Sequence, residues 1–338
     1  MSTVDWDGTR QILLRTPADV QKGFSFIEIV NAVDGLSYDY QSNPAFKEHV
    51  YEFHTHSGVP IGYILQFVVQ EMRLVASTEF DRLFACSDAE RYVKFKETDF
   101  ETRNEQLETL AQQLRSRSSL SCLKGWRNEK YAVYVEHLPY VLIERALSSV
   151  FGIITYGVHM NGYLRDASTG ELLIWVPRRS YKKATWPGML DNVVAGGLGH
   201  PHGVYDTLLK ESMEEAALPE EVIRNGARAV GVVSYFYHKP GGTYSTEADF
   251  ITGEIEYLYD IQLPVDVIPK PNDDEVNNFT LMTLQQVVDA LIRGDFKPNC
   301  GLIMLDFLVR HGYVNSDNEP HYLEIVTKMH RHLPFPTL

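Results

Sequence analysis

The alternation of apolar and polar positions divides the 338-residue chain into a mostly helical first third and a later region of strands mixed with helices. Thr16-Pro17-Ala18-Asp19 introduces a helical pattern toward Val30, since a side-chain acceptor followed by proline suits a helix start. Val59 to Val75 is apolar around too much of its circumference for a surface helix and predicts one buried helix. Tyr92 to Lys96 alternates as a strand does, Glu101 to Arg117 reads as a charged helix, and the serine-rich Ser116 to Ser121 reads as a linker.

Beyond the linker the period changes. Tyr131 to Val135 and Ile153 to Leu164 predict strands, and Asp166 to Gly170 supplies turn chemistry before Glu171 to Val176 pairs back. Asn192 to Ala195, Ala227 to Tyr237 and Phe250 to Leu263 predict further strands, the last with Tyr257, Tyr259 and Ile261 on one side. Pro240-Gly241-Gly242 marks a loop. Phe279 to Met282 precedes helices at Leu284 to Ile292 and Cys300 to Val309, and Tyr322 to His330 closes the chain with helical character. Mixed strands and helices predict an α+β fold whose mixed sheet is covered on both faces.

One stretch carries candidate chemistry. From Gly196 to Pro219 a glycine turn runs into a short helix bearing Glu211, Glu214 and Glu215. Offsets of three and four put these carboxylates within about a third of the helix circumference, with Leu209, Met213 and Ala216 opposite them to pack on a core. Three oxygen donors on one face suit a hard cation such as Mg²⁺. Just upstream, Arg178, Arg179, Lys182 and Lys183 supply counter-charge for a diphosphate, which arginine can grip with two hydrogen bonds. Trp126, Arg127, Asn128 and Glu129 can hold a ring and a charged group together, or can form a turn between domains.

Composition narrows the partners. The net charge of −14 argues against nonspecific nucleic-acid binding, and 44% hydrophobic content is ample for a core. Cys86, Cys122 and Cys300 are scattered, which fits a reducing compartment. Without a leader pattern at the N-terminus or an apolar run of roughly 18 residues, the expectation is a cytoplasmic protein with no membrane partner.

The Gly196–Leu218 stretch resembles the signature of Nudix hydrolases, with glycine at Gly196 and the helix glutamates at Glu211, Glu214 and Glu215. It departs from that signature at His202, where the pattern has Glu, at Lys210, where it has Arg, and at Ala217, where it has Gly. Further segments resemble the thiamin pyrophosphokinase-related branch: Gly125 to Glu129, Tyr156 to His159, Asn161-Gly162, Arg178 to Ser180, Trp186 to Asp191, Lys297 to Cys300 and Arg310 to Gly312.

The resemblance implies an α/β/α sandwich over residues 123–314, a mostly helical α+β family-specific domain over 1–122, and a helical tail over 315–338. It implies Mg²⁺- or Mn²⁺-dependent hydrolysis of a small organic diphosphate, thiamin diphosphate or its oxidised analogues, to monophosphate and phosphate. Metal would be held by Glu211, Glu214 and Glu215, with Lys210 orienting a helix carboxylate. The base would come from the helix glutamates or from Glu275. Substrate contacts would come from Arg178, Arg179, Lys182, Trp126, Arg127, Asn161, Gly196 and Gly197. Alternatives are a nucleoside diphosphate-linked pyrophosphatase, an isopentenyl diphosphate isomerase-like enzyme and a non-catalytic diphosphate sensor; a homodimer is left open.

Overall fold

The computed structural model describes residues 2–239 and 243–338; the expected loop at Pro240 to Gly242 lies outside them. The chain opens with β1 (Thr3–Trp6), β2 (Gln11–Leu14), α1 (Pro17–Lys22), α2 (Ile27–Asn31) and α3 (Pro44–His49). Next come β3 (Val50–His54), β4 (Pro60–Leu65), α4 (Gln66–Val75), α5 (Ser77–Leu83), β5 (Phe84–Ser87), β6 (Tyr92–Phe95) and α6 (Phe100–Arg117). The helical pattern from Thr16 is two helices. Thr16 and Asp19 cap α1 reciprocally, and Gly23, at φ 62°, ends it in the left-handed conformation that suits glycine.

The apolar run Val59–Val75 is not one helix. Its first half is β4, paired with β3, and the helix starts only at Gln66. An unbroken apolar run has no period to separate strand from buried helix. Tertiary contact decides: Gly62 bridges to Ile153, where a Cβ would stand 2.4 Å from the Phe151 carbonyl oxygen.

The second region comprises β7 (Lys130–Val135), β8 (Leu138–Glu144), β9 (Ile154–Arg165), β10 (Leu172–Arg179), β11 (Val194–Gly197), α7 (Val204–Ala216) and α8 (Glu220–Gly226). It continues with β12 (Arg228–Tyr237), β13 (Thr252–Gln262), β14 (Val276–Thr283), α9 (Leu284–Arg293), α10 (Pro298–Arg310) and α11 (Tyr322–Lys328). The main sheet runs β12-β13-β9-β10-β14, with β11 also on β9. β13 and β9 are parallel and the remaining pairs antiparallel, so the sheet is mixed.

Alternation along the strands feeds two cores, one on each face. Val158, Met160, Val194 and Ile261 pack with Leu208 and Ala216 of α7 and Ile223 of α8. Ile174, Val176, Val233 and Leu258 pack with Leu284, Val287 and Val288 of α9 and with Ile303 and Phe307 of α10. The sheet is therefore sandwiched between helical layers. No break in packing falls at residue 122. Phe53, Val68 and Phe84 share the first core with Val150 and Phe151, while Phe26, Ile27 and Val30 join the second. The segment beyond 314 also packs inward, with Arg331 buried on Asp34 at 2.9 Å and Ile325 in the second core. Among the described residues no helix is long and apolar enough to cross a membrane.

Candidate active site

Helix α7 sets the site because its buried stripe includes acidic positions. Leu208, Ser212, Glu215 and Ala216 are buried, at spacings that share one side of a helix, and Glu211 borders that stripe. Met213, expected to pack on a core, is 45% exposed. The three glutamates therefore fare differently. Glu215 is buried and accepts the backbone N–H of Ala195 at 3.1 Å. Glu211 leans on Gly196, where a Cβ would stand 2.4 Å from its Cγ, so that strand position excludes a side chain. Glu214 is half exposed. Lys210 spans Glu211 at 3.3 Å and Glu214 at 3.2 Å.

Burial pushes up the carboxyls of Glu211 and Glu215. For Glu215 the carboxylates of Asp191 and Glu211 add to it, against the Ala195 hydrogen bond, and Glu275 contributes further. Crowded acids of this kind are the donor set a hard divalent cation suits. Among the described residues, however, no three His, Cys, Asp or Glu side chains stand close enough together to hold a metal. Of the three glutamates on this helix, Glu211 and Glu215 meet the strand of Gly196, and Glu214 is the most exposed.

The expected substrate contacts also separate. Gly196 and Gly197 line a cavity of about 300 Å³. Arg127 stands 3.6 Å from Glu275, and Lys183 forms an ion pair with the same carboxylate. Burial opposes ionisation of Glu275, but Lys183, Arg127 and Arg145 together hold its carboxyl below the usual range.

The other expected contacts have partners within the protein or lie away from this cavity. Arg179 turns inward to Asp191 at 2.6 Å and to the carbonyls of Thr185 and Trp186, because a buried guanidinium needs that many acceptors. Arg178 donates to the Gly188 carbonyl at 2.6 Å. Lys182 is exposed. Trp126 is outside the cavity lining, donating to Asn128 and stacking under Arg115. Asn161 is buried against Asn192. His202 is exposed.

The cavity contains residues that sequence reasoning missed. Thr155, Gly157 and His159 of β9 lie on the same sheet face as Glu254 and Glu256 of β13, through the pairs Thr155↔Glu254 and Gly157↔Glu256. Tyr131, Arg145, Lys297 and Asn299 complete much of the lining. The signal for the glutamates was available: a sheet covered on both faces has no solvated side, so acids alternating along Gly253–Asp260 had to be buried.

A family model described as "Domain of unknown function (DUF4743)" matches residues 40–155. The uncharacterized protein YJR142W of Saccharomyces cerevisiae is 51% identical over 331 residues, covering 97% of each chain. Nudix hydrolase 20, chloroplastic, and Nudix hydrolase 24, chloroplastic, of Arabidopsis thaliana are 39% and 37% identical over 211 residues. Those matches cover 61% of this chain and 53% and 54% of the plant proteins, about half of their length. Over 61% of its length, which includes the glycine turn and the α7 glutamates, the chain is thus similar to two plant Nudix hydrolases.

Proposed function

We propose that the chain hydrolyses a small organic diphosphate, thiamin diphosphate or an oxidised analogue, to the monophosphate and phosphate, using Mg²⁺ or Mn²⁺. The observation that carries this reading is the pairing of Glu211 and Glu215 on the sheet-facing side of α7, beside Gly196, with the cations around Glu275.

Glu211 and Glu215 would hold the cation, and Glu214 serves it less directly because it faces solvent. Such a cation supplies charge neutralisation at phosphate oxygens and acidifies water. Arg127, Lys183 and Arg145 supply the remaining positive charge, and an incoming phosphate competes with Glu275 for them. Lys210 holds Glu211 in orientation as a point charge. Water attacks the terminal phosphorus, the P–O bond to the bridging oxygen breaks, and the monophosphate leaves with that oxygen. The proton of the attacking water passes to a carboxylate. Glu275, held low by its cations until the phosphate draws them away, and the helix glutamates are the candidate acceptors.

The isomerase alternative requires a cysteine where Ala195 lines the cavity, and Cys300 is buried against Asp191 at 2.7 Å. Phosphorus NMR of thiamin diphosphate and its oxy and oxo analogues, incubated with enzyme and Mg²⁺, tests the proposal. Monophosphate and inorganic phosphate are expected. Unchanged diphosphate, or an isomer without phosphate release, would overturn it.

A further inference from the structure

The cavity beside Gly196–Gly197 lies on the opposite sheet face from α7. Ala195 and Gly197 share that face with His159 and Gly157, whereas Gly196 faces Glu211. The cavity and the α7 carboxylates thus meet across a single extended strand, β11. The two faces are furnished differently. The α7 side carries the carboxylates and cations suited to phosphate, and the cavity side carries a buried acidic pair.

Glu254 accepts the Tyr235 hydroxyl at 2.5 Å. Glu256 Oε1 is within reach of Tyr235 at 3.3 Å and Asn299 Nδ2 at 3.4 Å. Glu256 Oε2 is different: it is buried and has no hydrogen-bond partner. His159 Nε2 stands 3.6 Å from it, too far for a hydrogen bond, and the other ring nitrogen pairs with Asn192 at 2.9 Å. Gly157, in the cavity wall, leaves only its backbone beside that oxygen, since a Cβ there would stand 2.0 Å from it. The charges of His159 and Lys297 offset part of the burial of this carboxylate, but an oxygen without a hydrogen-bond donor remains costly to bury. A cavity of about 300 Å³ beside it admits a ligand that supplies the donor.

We propose that this cavity receives the organic half of the diphosphate, and that Glu256, with Glu254 beside it, selects a nitrogen heterocycle presenting N–H donors. This assignment rests on the diphosphate-hydrolase reading only for the orientation of the substrate. The ring lies over Gly157 with its N–H donor, ring or amino, toward Glu256, and the diphosphate passes β11 at Gly196–Gly197 toward α7. Arg145, which lines the cavity and also influences Glu275, stands where the two halves join.

The test separates the pocket from the chemistry. Calorimetry with unphosphorylated thiamin, a heterocycle whose exocyclic amino group supplies the N–H donor, reads the pocket alone. Wild-type protein is expected to bind it and Glu256→Gln to bind at least ten-fold more weakly, because the amide offers only one acceptor oxygen. The ratio of kcat/KM for thiamin diphosphate to that for methyl diphosphate, which has no ring, is expected to fall at least ten-fold in the same variant. Should Glu256→Gln fail to fold, as judged by its melting temperature, Glu254→Gln takes its place with the same expected directions. Equal thiamin binding by wild type and variant, no binding by wild type, or an unchanged ratio would overturn the proposal. Glu256-dependent thiamin binding without hydrolysis of either diphosphate would support the pocket while refuting the hydrolase reading.

Discussion

Glu215 accepts the backbone N–H of Ala195 at 3.1 Å, which ties the end of α7 to the strand bearing Gly196 and Gly197. The bond fixes one candidate metal carboxylate against the sheet, in a place where burial and neighbouring acids oppose its charge.

That placement predicts a pH dependence. Folding raises the Glu215 pKa, so the folded protein retains a proton that the unfolded chain releases above its ordinary value of about 4.5. The associated stability is present below the unfolded value and is lost as pH rises toward and through the folded one. Metal-free wild-type protein should therefore lose melting temperature from pH 5 toward pH 8 more steeply than Glu215→Gln, which has no charge to bury. Thermal melts of both across that range check this; parallel curves would contradict it.

Ala217 ends α7 at φ 50°, in the left-handed region. A side chain there costs about 1–2 kcal/mol, partly offset by the greater freedom glycine has in the unfolded chain. Ala217→Gly should gain up to about 1 kcal/mol in urea unfolding. A loss of stability would contradict the strain.

The Arg179–Asp191 pair is buried, with both side chains 9% exposed. Burial opposes the charge of Asp191, but Lys297 and Arg179 hold its carboxyl below the ordinary range. Arg179→Met leaves that carboxylate short of a partner and should cost about 3–5 kcal/mol in denaturant unfolding. A variant of wild-type stability with a raised KM would instead make Arg179 a substrate contact.

The elements were legible wherever period and turn chemistry agreed. The strand ending at Arg165 and the helix beginning after Gly203 lie close to their expected positions, since each has one clear repeat and a glycine or turn at its edge. Val59–Val75 was illegible because its apolar residues have no period, and Gly62 chose strand only through its contact with Phe151. In the site, helical spacing named Glu211 and Glu215, but not the rotation of α7 that turns Glu214 to water. The cavity acids were hidden by the usual reading of an alternating strand, in which the polar side is wet. Lys297, which faces Asp191 and Glu254 from the start of α10, depends on two elements far apart in sequence. Its position emerges only when the sheet is covered.

Phosphate release from thiamin diphosphate, followed against Mg²⁺ concentration for wild type and Glu215→Gln, tests the central claim most directly. The account predicts no release without a divalent cation, saturable release by wild type as Mg²⁺ rises, and at least a hundred-fold lower turnover in the variant. Glu214→Gln, altering an exposed carboxylate, should lose less. Release that persists in chelator, or Glu215→Gln turning over at the wild-type rate, would contradict the assignment of α7 as the metal helix.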